Sequence, residues 1–152
     1  MGNFEISVVR AEIGSILIYT INDVCEQIQL TDEFLPEQGD NTFTKQIKEY
    51  LSGYRKILDF PAKYSSGPVF EKIWSYLKEN VGYGKIITYG DLAKACKTSP
   101  KVVGYAMASN PLPLYIPCHR VVGKNSIGGF TTKDGKSMIT WKKYLLELEG
   151  SL

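Results

Sequence analysis

One histidine occurs in this chain, and it follows a cysteine: Cys118-His119, within Ile116-Pro117-Cys118-His119-Arg120-Val121-Val122. An ionised thiol is a soft, strong nucleophile, and imidazole is the side chain best suited to take its proton near neutral pH. The pair points to cysteine-based group transfer or hydrolysis. Residue types alone leave a second reading open, a buried cysteine beside an exposed histidine. The other cysteines, Cys25 and Cys96, are distant, and no pair has zinc-ribbon spacing. With one histidine, no metal site is expected. The chain has no glycine-rich phosphate loop, and no cofactor is expected.

The elements around the cysteine must hold it still. Residues 110–118 read Asn-Pro-Leu-Pro-Leu-Tyr-Ile-Pro-Cys, and prolines at 111, 113 and 117 forbid a helix and stiffen the approach. Upstream, Thr88-Tyr89-Gly90-Asp91 has capping-box spacing before a short helix that reaches Cys96. Ser99-Pro100, an N-cap followed by proline at the first helical position, opens a second helix to about Ser109. Two short helices across a tight turn form a helix-turn-helix pattern. On the second, Val103, Ala106 and Met107 should face the core, and Lys101, Tyr105 and Ala108 the outside. That outer face suits a DNA groove, although helical hairpins are common. Downstream, residues 123–135 form a Gly/Thr/Lys-rich loop. A terminal amphipathic helix runs from about Ser137 through Glu149, with Trp141, Tyr144, Leu145 and Leu148 inward.

The first part has a different pattern. Residues 4–9, 16–21 and 24–30 are β-branched or alternating, with a turn signal at Gly14-Ser15. Residues 41–52 fit a helix with Phe43, Ile47, Tyr50 and Leu51 on one side. Residues 68 to about 81 form another, with Val69, Phe70, Ile73, Trp74 and Leu77 on its face. Between them, residues 61–68 are the candidate linker. The expected domains are therefore 1–65 and 66–152, an α+β chain of 152 residues. Residues 1–65 hold six Lys/Arg against ten Asp/Glu, and residues 66–152 hold twelve against six. The acidic first part and basic second part suggest that only the second meets a polyanion, although an ordinary lysine-rich surface has the same charge. No stretch has the length of a membrane span and the first residues lack an export pattern, so a cytoplasmic location with reduced thiols is expected.

The segment 116–122 resembles the active-site signature of the 6-O-alkylguanine-DNA alkyltransferases, the methylated-DNA–protein-cysteine methyltransferases. The similarity covers roughly residues 66–150. It includes Gly-Pro-Val-Phe at 67–70, Ile-Thr-Tyr at 87–89, Asn-Pro-Leu-Pro at 110–113, Gly-Gly-Phe at 128–130 and Leu-Leu-Glu-Leu-Glu-Gly at 145–150. The resemblance implies a small RNase H-like sheet with a helix, followed by a winged-helix-like helix-turn-helix part carrying the cysteine. It implies DNA repair by one irreversible transfer of an alkyl group from 6-O-methylguanine to Cys118, after minor-groove binding and base flipping. In such a protein His119 acts as base through a water and Glu149 orients it, Asn110 braces the segment, and Tyr89 donates a proton and rotates the nucleotide. The carbonyls of Cys118 and Val121 accept from the guanine amino group, and Phe130 and Thr131 close over the base. Arg120 joins Lys101, Tyr105 and Ala108 as DNA-binding. The implied partner is duplex DNA carrying 6-O-alkylguanine, with 4-O-alkylthymine as a second candidate substrate. No membrane partner is expected, and the chain is expected to act as a monomer. Two departures stand out: lysine at 101 where the family usually has arginine, and a longer loop after Phe130.

The chemistry fits these residue types. A free thiol is only a few per cent ionised at neutral pH, so it needs a base. Neighbours in an extended strand point apart, so a water is expected to link Cys118 to His119. A carboxylate on the far ring nitrogen would fix the tautomer; without the resemblance, Glu149 could equally be a solvated helix-end residue. Two other functions are compatible with the motif, a cysteine hydrolase and a DNA-lesion sensor without transfer.

Overall fold

The computed structural model describes residues 3–132 and 134–152. It is α+β, as the sequence pattern predicts, and divides into two compact units. One comprises residues through Tyr64 together with Pro111–Tyr115, and the other Ser65–Asn110 with Ile116–Leu152.

The first unit is built on an antiparallel meander of β1 (Phe4–Ala11), β2 (Gly14–Ile21) and β3 (Val24–Thr31) in sequence order. Asn22 and Asp23 both hold positive φ, the geometry of the two-residue turn whose twist matches paired strands. Helix α1 (Thr42–Leu51) starts at Asn41, whose side chain accepts from the Phe43 and Thr44 amides while Thr44 answers from its own hydroxyl. Phe43, Ile47 and Tyr50 on its apolar face are buried, as are Ile16, Ile18 and Ile28 of the sheet. The predicted linker is only partly a linker, because Ala62 bridges Cys25 and the Cys25 amide donates to the Pro61 carbonyl. The stiff proline segment is also divided. Pro111–Tyr115 belongs to this first unit: the Ile28 amide donates to the Pro111 carbonyl at 2.9 Å, and the Tyr115 ring stacks 5.4 Å from Phe60. Four consecutive apolar or proline residues and an aromatic have more to gain from an apolar partner than from solvent.

The second unit holds α2 (Pro68–Asn80), β4 (Ile87–Thr88), α3 (Tyr89–Ala95), α4 (Pro100–Ala108), a 3-10 turn (Cys118–Arg120), β5 (Val121–Val122) and α5 (Ile139–Leu148). Both predicted caps form, with Thr88 accepting from the Asp91 amide and Ser99 from the Val102 amide. The buried Trp74 indole donates to the Ala106 carbonyl and ties α2 to α4. Strand β4 pairs in parallel with β5, Ile87 opposite Val121, which brings the start of α3 beside the residues that follow the cysteine. Helix α5 begins two residues later than expected because Ser137 is bridged to Thr131 and the Met138 amide to the Phe130 carbonyl. Among the described residues, no helix is long and apolar enough to cross a membrane.

Candidate active site

Cys118 and His119 are not in an extended strand, as their sequence suggested. They lie in a single 3-10 turn closed by the Arg120 amide on the Pro117 carbonyl and the Val121 amide on the Cys118 carbonyl. The fixed φ of Pro117 starts this turn, and β5 takes up the chain immediately after it. Both side chains are buried. Asn110 secures the approach from its side. Its amide donates to the Ile116 carbonyl at 2.9 Å, joining the residues on either side of the Pro111–Tyr115 excursion, and its side chain also hydrogen-bonds the thiol. Burial pushes the Cys118 thiol up to about 11, against the lowering pull of Asn110 and of the Lys142 charge. At rest the sulfur therefore keeps its proton, and its chemistry needs a base.

His119 has one nitrogen engaged and one available. Nε2 lies 2.8 Å from a Glu149 carboxylate oxygen, while the buried Nδ1 has no hydrogen-bond partner among the described residues. A carboxylate only accepts, so Nε2 carries the hydrogen and Nδ1 presents a lone pair. Burial lowers the His119 pKa, and the charges of Arg120 and Lys142 add to that, outweighing Glu149. The ring is therefore neutral at pH 7 and ready to accept a proton at Nδ1.

Glu149 is not the solvated helix-end glutamate that its position allowed. It caps α5, and its carboxylate is buried. Arg120 grips both oxygens, Nε on one at 2.8 Å and Nη2 on the other at 2.9 Å, and donates Nη1 to the Val81 carbonyl. The Gly84 amide reaches the same carboxylate at 3.4 Å. Arg120, expected at DNA, is instead 7% exposed, and its guanidinium is committed to these internal partners. Its forked donors suit a carboxylate as well as a phosphate, and here the carboxylate has them. Removing one member of a buried pair leaves the other uncompensated. Arg120→Met is accordingly expected to lower stability by about 3–5 kcal/mol in urea unfolding.

Lys142 was not singled out from the sequence, yet it is wholly buried. Nζ donates to the Val121 carbonyl at 2.6 Å and to the Gly129 carbonyl at 2.9 Å, and lies 5.6 Å from the centre of the Tyr89 ring. The sequence did hold a signal, since Lys142, Leu145, Leu146 and Glu149 fall at i, i+3, i+4 and i+7 and all four are buried. Tyr89, first residue of α3, is half-buried and donates its hydroxyl to the Gly129 carbonyl at 3.4 Å. A side chain on Gly128 would lie 3.0 Å from that ring, so the glycine lets the loop close on it.

Phe130 is half-buried, whereas Thr131 is exposed and bridged to Ser137. Lys101 and Tyr105 are exposed on α4, the ammonium 6.0 Å from the ring centre, and Ala108 is half-buried. Val103, Ala106 and Met107 are buried, as the helical spacing predicted. Among the described residues, no cluster of three or more His, Cys, Asp or Glu could hold a metal ion.

A family model described as 6-O-methylguanine DNA methyltransferase, DNA binding domain, matches residues 68–151. A methylated-DNA–protein-cysteine methyltransferase from Thermococcus gammatolerans is 48% identical over 148 residues, 90% of this chain and 82% of that one. Its counterpart from Archaeoglobus fulgidus is 42% identical over 116 residues, 74% of this chain and 76% of that one. Several further relatives of the same name are matched over a little under half of their own length. In fold, the chain is similar to a crystal structure of the Mycobacterium tuberculosis 6-O-methylguanine methyltransferase, with TM-score 0.80 at 23% identity over 98% of this chain and 94% of that one.

Proposed function

The chain belongs to the 6-O-methylguanine DNA methyltransferase family, and from that premise we propose that it repairs duplex DNA by moving the alkyl group of 6-O-alkylguanine onto Cys118, once per molecule. The observation that carries the proposal is the engaged and available pair of nitrogens on His119. A neutral, buried imidazole with its far nitrogen fixed on Glu149 stands next in the chain to a buried thiol that cannot ionise unaided.

The step balances without a cofactor. The Cys118 sulfur attacks the alkyl carbon in line, forming the C–S bond as the bond from that carbon to the guanine oxygen breaks. The thiol proton passes through a water to His119 Nδ1, and Glu149 supports the imidazolium that forms. Negative charge on the departing guanine is met by a proton from the Tyr89 hydroxyl, which recovers one from the imidazolium through solvent. The product is a thioether and an unmodified guanine. A thioether has no thiolate to regenerate, so the protein is consumed.

DNA is the partner. The exposed face of α4, with Lys101 and Tyr105, is its docking face in this proposal, and the damaged base leaves the stack to reach the buried sulfur. Residues 66–152 would then carry binding and transfer, with 1–65 in support and the chain acting as a monomer in the cytoplasm. Lys101→Ala is expected to weaken binding about equally across sequences and to reduce the slope of log affinity against log salt by about 1. Titrating undamaged duplex at several ionic strengths checks it.

The deciding experiment is intact mass after incubation with duplex DNA containing one 6-O-methylguanine. A one-methyl increase, stoichiometric with protein, supports the proposal. Repaired duplex in excess over protein would mean turnover and a recyclable thiol, as in a hydrolase. Bound DNA with no adduct would leave a lesion sensor.

A further inference from the structure

Burying an ammonium is costly, and the space Lys142 fills would accept methionine or leucine. Among the described residues its partners are carbonyl oxygens rather than a carboxylate, so no opposite charge offsets the loss of water. The three groups it holds come from separate elements. Val121 follows the reactive turn, Gly129 lies in the loop after β5, and Tyr89 starts α3. The loop has little stiffness of its own, since Gly128 and Gly129 are adjacent and Gly128 sits at φ 75°. At the Gly129 carbonyl it is tied by both the Tyr89 hydroxyl and Lys142, while the Gly128 amide donates to the Ser126 hydroxyl and the Phe130 carbonyl accepts from the Met138 amide.

We infer that Lys142 is a positioning residue for the alkylguanine pocket: its ammonium joins the Val121 carbonyl, the Gly129 carbonyl and the Tyr89 ring into one wall, against which the flipped base is held. A carbonyl oxygen has two lone pairs. Lys142 takes one on Val121 and fixes the direction of the other, which is the one offered to the guanine amino group. The consequence for transfer rests on the alkyltransferase reading, whereas the tie itself is a property of the free protein.

The tie depends on charge. Burial holds Lys142 down to about 8, and the ionised form of Cys118 opposes that shift. The titratable groups facing it are Cys118 and His119 from the 3-10 turn and Tyr89 from α3. Below pH 8 the ammonium carries three N–H donors; above it the amine keeps two and loses its charge assistance. The wall should therefore loosen as pH rises through 8, while the thiol, at about 11, is still protonated.

Two variants test this, Lys142→Met and Lys142→Arg. Amide exchange across residues 121–131 is read in the free protein and corrected for its intrinsic pH dependence. Methionine is expected to speed that exchange roughly tenfold or more without lowering the melting temperature, since a charge burial is relieved. Wild type should lose protection between pH 7 and 9, and arginine, still charged, should keep it. Single-turnover transfer from duplex 6-O-methylguanine is expected to fall about 30-fold in the methionine variant, clearly more than the fall in iodoacetamide alkylation of Cys118 that loss of the Lys142 charge causes by raising the thiol. Unchanged exchange in Lys142→Met overturns the inference. So does a parallel fall in transfer and iodoacetamide rates, which would place the effect on the sulfur. The exchange arm needs no DNA, so it reads the inference even if wild type transfers nothing, a result that bears on the alkyltransferase reading alone.

Discussion

Serine in place of Cys118 is expected to abolish the methyl adduct and to slow repair of 6-O-methylguanine duplex on the order of 10⁴-fold or more. The replacement is nearly isosteric, and the hydroxyl inherits the Asn110 hydrogen bond, so the variant should fold and bind DNA. What it lacks is nucleophilicity. An alcohol ionises far less readily than a thiol, and its oxygen is a poorer match for a soft alkyl carbon. Intact mass and a single-turnover repair assay read the result together. Undiminished adduct in the serine variant would move the acceptor to Cys25 or Cys96. Those sulfurs are buried too, and burial pushes Cys25 up to about 12. In wild type the acid limb should lie low. The His119 pKa is depressed below its ordinary 6.5, so Nδ1 is free to accept at neutral pH and is lost only as pH falls below that value. A transfer rate that already drops between pH 8 and 7 would contradict a neutral resting imidazole.

The second large effect is expected at Glu149. Glu149→Gln preserves shape but removes the charge that Arg120 grips through both oxygens. One of the amide's two ends must now present N–H groups. Facing Arg120, it sets donor against donor in a buried place. Facing His119, it donates to Nε2, which moves the ring hydrogen to Nδ1 and removes the acceptor. Stability should fall by about 3–5 kcal/mol, because a buried guanidinium is left without its counter-charge. Transfer should fall about 10²–10⁴-fold, the range of a lost general base. Urea unfolding and single-turnover kinetics measure the two losses separately. A variant of wild-type stability with unimpaired transfer would mean that Arg120 and His119 do not depend on the carboxylate.

Much of this site was legible in the residues. Cys118 and His119 stood out because the chain has one imidazole and it adjoins a thiol. The caps of α3 and α4 follow from Thr88 and Ser99, since capping is a local matter of one side chain and the amides just beyond it. The inward face of α4 followed from spacing in the same way. What failed was non-local or depended on orientation. Arginine beside an active-site motif looks like a phosphate contact until Val81 and Glu149, distant in sequence, are seen to use its donors. Lys142 does not stand out by type, because a lysine on an amphipathic helix ordinarily marks its solvent side, and burying one depends on carbonyls from two other segments. Adjacency at 118–119 suggested an extended pair, but the proline before it starts a tight turn.

The excursion of Pro111–Tyr115 sets an order of events on the ribosome. The first unit draws its last segment from beyond most of the helices of the second, so its folding cannot be completed when Tyr64 leaves the exit tunnel. Translation of the intervening stretch takes roughly 2–10 seconds at ordinary elongation rates. Through that interval β3 lacks the Pro111 carbonyl, and Phe60 lacks the ring of Tyr115. The nascent sheet and α1 therefore wait with an apolar face incomplete, and release from that state comes only with the residues that lead directly into Cys118.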